Sequence, residues 1–123
     1  METPVGFDPT NVPPVADLNA VSVSGTLVQE PELMAGAAGQ LVAVIVLAVE
    51  GTPQASPWGT TIRHTYVIHA WGLGPLAEWL ATMPAGTRVR MLGSLDYLYR
   101  SDAPTVAERI VLSIRIDELA LHA

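Results

Sequence analysis

The chain contains no cysteine and no lysine. The first absence removes disulfides, zinc–thiolate sites and a cysteine nucleophile together. The second leaves arginine as the only strongly basic residue, six in all against twelve carboxylates, for a formal charge of −6. Nucleic-acid binders usually carry a basic excess, because phosphate contacts supply most of their affinity. This chain carries the opposite balance. Charged residues are also scarce, at 15%, while half of the residues are hydrophobic. So apolar a small domain is expected to bury surface against copies of itself. The longest apolar run, Leu41 to Val49, falls far short of the roughly 20 residues of a membrane helix. The first residues lack a basic region followed by an apolar stretch, so no signal peptide is expected and a cytoplasmic location is.

Chemistry-bearing clusters are equally sparse. His64 and His69 are five apart on one strand run, which sends them to opposite faces, and His122 stands near the end of the sequence. The carboxylates follow no spacing that suggests an acid–base pair. The expectation is no metal, no cofactor and no enzyme. Gly72 to Ala77 matches G-x-G-x-x-A, but a dinucleotide site needs βαβ units and a parallel sheet. The strand runs here are joined without helices, save one.

What the chain does have is alternation. Met1 to about Asp17 holds four prolines and no period, and reads as a flexible N-terminal arm, dispensable for folding. Residues 18–123 read as one domain. Asn19 to Glu30 alternates Val21, Val23 and Leu27 with serines and a threonine, and Gly25 invites a bulge or bend. Glu30-Pro31-Glu32 and the Ala-Gly-Ala-Ala-Gly stretch (35–39) read as a turn. Leu41 to Glu50 is apolar on both faces, hence a central strand or one covered by a partner. Gly51 to Thr61 is a loop with Trp58 near its middle. Arg63 to Trp71 is a third strand, with Thr65, Val67, His69 and Trp71 sharing one face.

Then comes a short helix: Leu76, Trp79, Leu80 and Met83 follow the i, i+3, i+4, i+7 stripe, and Pro75 suits its first turn. Thr87 to about Tyr97 is a fourth strand. Ser101 to Pro104 is a loop, and Arg109 to about Leu119 a fifth strand with Ile110, Leu112, Ile114 and Ile116 inward. Five strands with one helix between the third and fourth is the order of an OB-fold, an all-β, five-stranded, partly open Greek-key barrel. The helix is expected to plug its bottom.

Several stretches, taken in order, resemble the bacterial single-stranded-DNA-binding protein family and its primosomal replication protein relatives. They are NAVSVSGTLVQEPEL (19–33), LVAVIVLAVE (41–50), YVIHAWG (66–72), LAEWL (76–80) and AGTRVRMLGSL (85–95). The likeness covers about residues 19 to 119. It implies single-stranded DNA binding without sequence preference, in replication, recombination or repair, by a homo-oligomer, tetramer or dimer.

Such sites combine a basic groove with aromatic platforms. Trp71 falls where a stacking ring is usual, and Trp58 lies in a loop where another is common. Thr65 stands where a third ring is expected. Asp96 and Leu98 occupy expected basic positions, and Arg100 replaces a ring. The nucleic-acid-binding set is therefore Trp58 and Trp71 as platforms, Arg63 and Arg100 as phosphate partners, and Arg109, His69, Tyr97 and Tyr99 beside them. Tyr97 and Tyr99 suit either base stacking or a subunit contact, and Trp79 is expected in the core. Arg88 and Arg90 point outward, for solvent, an interface or phosphate. With so few cations, binding is expected to be weak. The alternative is a paralogue with little DNA affinity that docks on replication or repair proteins.

Overall fold

The computed structural model describes residues 17–99, 104–105 and 110–121. The expected arm (1–16 of it), Arg100, Arg109, most of the loop at 101–104 and His122 lie outside them. Strands β1 (Val21–Leu27), β2 (Glu32–Ala35), β3 (Leu41–Glu50), β4 (Gln54–Ala55), β5 (Thr61–Ile62) and β6 (Thr65–Leu73) precede helix α1 (Pro75–Leu80). Strands β7 (Arg88–Tyr99) and β8 (Ile110–Leu121) follow it. The main sheet runs β1-β7-β8-β6-β3, and β1 pairs again with β3, which closes a five-stranded barrel. All of its pairings are antiparallel except β6 with β8. This is the expected OB-fold.

Alternation builds the core. Odd residues of β3 (Ala43, Ile45, Leu47) point inward beside Ala70 of β6, Val89 and Met91 of β7, and Ile114 and Ile116 of β8. α1 closes one end with Ala77 and Leu80, and Met83 follows them into the same core. Trp79, expected in the core, is instead 40% exposed. A six-residue helix lies on the barrel by one narrow side, and Ala77 takes the inward position that the wider stripe assigned to the indole.

Three further expectations change. The bulge lies at Leu92/Gly93, where β7 and β8 slip register, and a Cβ at Gly93 would run into the Arg115 carbonyl. Gly25 instead keeps regular pairing with Val89, and its bare α-carbon makes room for the Ala48 carbonyl of β3. Residues 32–35, expected in a turn, form β2 along the first half of β3, while β1 takes the second half. Leu112, expected inward, is 60% exposed, because beyond Ile114 the paired β7 and β8 continue past the barrel as a ribbon.

That ribbon explains the two-sided apolar strand. Its Leu98 and Val111 pack with Val42 and Val44 of β3, Trp71 and Leu73 of β6, and Met34 of β2 in a second small core. The first half of the outer face of β3, at Val42 and Val44, is thus covered by its own chain. The ribbon's other face leaves Leu95, Tyr97, Tyr99 and Leu112 bare. Among the described residues, no helix is long and apolar enough to cross a membrane.

Candidate nucleic-acid interface

β3 and β6 pair without interruption from Val42↔Leu73 to Glu50↔Thr65, and the chain between them rises as a small second hairpin, β4–β5. Its tip reads Ser56-Pro57-Trp58-Gly59, with the residues a type I turn favours at its first, second and fourth positions. The Gly59 amide donates to the Ser56 carbonyl at 3.1 Å, and Gly59 takes φ +84°, a conformation costly for any residue with a side chain. The Ser56 hydroxyl sits 2.7 Å from the Thr60 hydroxyl and accepts the Trp58 and Thr60 amides at 3.2 Å. This network fixes the turn while the Trp58 ring stays 85% exposed. A large ring held in water by a built turn packs little of its own fold.

The outer face of β6 carries Val67, His69 and Trp71 opposite Ala48, Val46 and Val44 of β3. Trp71 is half-buried beneath Leu98 and Val111 of the ribbon. Its indole Nε1 and the Nδ1 of His69 are both buried and have no hydrogen-bond partner among the described residues. Each such group forfeits about 1–3 kcal/mol of desolvation until something pairs with it.

The charges of the site largely cancel. Arg63 donates to Glu50 at 3.1 Å. Arg115 lies 3.8 Å from Asp96 and 3.9 Å from Asp117. Asp96, standing where the resemblance calls for a base, also accepts the Tyr97 amide at 2.7 Å. Tyr97 and Tyr99 extend along the bare ribbon face, with Tyr97 directly opposite Leu112. The structure therefore brings His69 and Trp71 onto one face, sets Trp58 on the hairpin beyond the Glu50↔Thr65 end of the same two strands, and puts both tyrosines on the ribbon face turned away from Trp71. Arg100 and Arg109 lie outside the described residues.

Two arginines outside the expected set are free of ion pairs. Arg88 and Arg90 are exposed on the outer face of β7 beside Thr26 and Ser24 of β1. Among the described residues, no carboxylate forms an ion pair with either. The alternation with buried Val89 and Met91 sets their direction in the sequence, but the absence of an ion pair depends on strand register.

No family model and no curated protein matches this chain. Solved structures do. The single-stranded DNA binding protein from Thermus aquaticus superposes with a TM-score of 0.69 at 20% identity, over 86% of this chain and 50% of that one. A deletion mutant of the same protein gives a TM-score of 0.72 at 19% identity, over 86% of this chain and 51% of that one. The chain thus spans about half the length of those two. The protein priB from Ralstonia solanacearum gives a TM-score of 0.64 at 22% identity, over 87% of this chain and 100% of that one. Likeness at this identity carries the fold.

Proposed function

We propose that this chain binds single-stranded DNA without sequence preference, weakly and mainly by stacking, in replication, recombination or repair. The observation that carries the reading is Trp58, a ring held in solvent by a turn whose hydrogen bonds all serve to fix it. A base stacked on an aromatic ring is worth roughly 1–3 kcal/mol and needs no particular sequence. The unpaired Trp71 Nε1 and His69 Nδ1, buried on the outer face of β6, would offer hydrogen bonds to a strand once the ribbon lifts from them. Likeness to the single-stranded DNA binding protein from Thermus aquaticus supports the same reading. With Arg63 engaged by Glu50 and a charge of −6, long-range attraction for phosphate is small. Titrating the protein with oligo-dT at low salt should quench tryptophan emission, and duplex DNA should not.

The second reading is an interaction protein with little DNA affinity, docking on replication or repair proteins. The cover of Leu98 and Val111 over Trp71 favours it, since a covered ring is no platform until the ribbon moves. No response to oligo-dT at tens of micromolar DNA would select it. Under either reading the bare ribbon face (Leu95, Tyr97, Tyr99, Leu112) suits contact between copies of the chain, as exposed apolar patches do.

A further inference from the structure

The geometry points to a phosphate-binding strip on the outer face of β1–β7, centred on Arg88 and Arg90, over which a bound single strand leaves the β3–β6 face. The inference rests on the single-strand reading above and adds a second contact surface to it.

Thr26 joins the two faces. It is paired with Arg88 of β7 on one side and with Ala48 of β3 on the other, and Ala48 in turn faces Val67 of β6. The neighbouring Leu27 and Leu47 both point into the core, so Thr26 and Ala48 share the outer surface. The row Arg88–Thr26–Ala48–Val67 is therefore a continuous outer path across three strand spacings, about 14 Å. Arg88 already leans along it: its Nη1 donates to the Thr26 hydroxyl at 3.1 Å. One strand position pair further along β7, Arg90 lies between Ser24 of β1 and Ala120 of β8, two side chains too short to cover it.

The surroundings suit a phosphodiester. Ser22, Ser24 and Thr26 face outward on β1 and add hydroxyl donors beside the guanidiniums. Guanidinium matches phosphate with two parallel hydrogen bonds and remains charged at any working pH. The carboxylate to be reckoned with is Glu118, which sits opposite Leu92, diagonal to Arg90, and pairs with neither arginine. Glu50, on the far side of Ala48, is engaged by Arg63. Every other arginine among the described residues is in an ion pair, so these two hold the charge that a phosphate can use without displacing an acid.

The test is the salt dependence of oligo-dT binding, followed by fluorescence anisotropy of labelled oligo-dT, for the unaltered chain, Arg88→Ala/Arg90→Ala, and Arg88→Lys/Arg90→Lys. Each phosphate contact contributes about −0.7 to the slope of log K against log salt for single strands. The alanine pair should flatten the slope by about 1.4 and the lysine pair should largely keep it. Both side chains are exposed, and a thermal melt checks that the fold is retained. If the unaltered chain binds and the alanine pair leaves its slope unchanged, the strip is overturned while the single-strand reading stands. If the unaltered chain binds no oligo-dT at low salt, both fall together.

Discussion

The two sides of the barrel divide what a single-strand site needs. The β3–β6 side has the rings, Trp58 on its hairpin and Trp71 on its face, but its Arg63 is tied to Glu50. The β1–β7 side has Arg88 and Arg90 clear of ion pairs, and its outward residues from Ser22 to Thr26 and Arg88 to Leu92 include no ring. Stacking is insensitive to salt, whereas phosphate contact releases counterions. The difference therefore separates two quantities: substitutions of the rings should alter affinity at constant salt slope, and those that remove or release an arginine should alter the slope.

The largest effect should come from the cover over Trp71. Leu98 is nearly buried in the second core. Leu98→Ala should cost about 2 kcal/mol, the low end for a buried leucine because so small a cluster can collapse. The melting temperature should then fall by roughly 10 °C. Trp71 emission should shift to the red as water reaches the ring, and an unchanged melt would mean that the ribbon does not grip β3 and β6. Trp58→Ala should lower oligo-dT affinity about tenfold, from the lost stack. It should leave the melting temperature and the salt slope alone, and a parallel loss of stability would make the ring structural.

How much of this was legible in the sequence depends on the range of the cause. Val89 and Met91, Ile45 and Leu47, Ile114 and Ile116 alternate within their own strands, and local period alone places them in the core. The Ser-Pro-Trp-Gly tip carries its own turn chemistry, but 51–61 reads only as a loop, and the β4–β5 pairing around the tip does not show in local period. Strand β2 was not legible, since Glu32 to Ala35 becomes a strand only because β3 offers an edge. Nor was the fold-over of Leu98 and Val111, whose partners on β3 lie more than fifty residues away in sequence. The site suffered most, because charge pairing is a matter of register. Arg63 and Glu50 are thirteen residues apart, and only the β3–β6 hairpin brings them to 3.1 Å.

Two smaller effects sharpen the contrast. Replacing Tyr97 and Leu112 with serine removes the apolar centre of the bare ribbon face. Self-association, measured by light scattering, should weaken about tenfold, the equivalent of about 1.4 kcal/mol. A monomer at micromolar concentration before any substitution would remove that role from the ribbon. Glu50→Gln should release Arg63 for phosphate and steepen the salt slope by about 0.7, with a modest gain in affinity. An unaltered slope would show that Arg63 lies off the path of the strand.

The most direct test needs no substitution. The unaltered protein is titrated with oligo-dT while tryptophan emission is followed, at several salt concentrations from low to physiological. The account predicts quenching, and a shallow slope of about −1.4 to −2.1, the value for two to three phosphate contacts. No quenching at low salt with tens of micromolar DNA would contradict it and leave a barrel that binds protein instead.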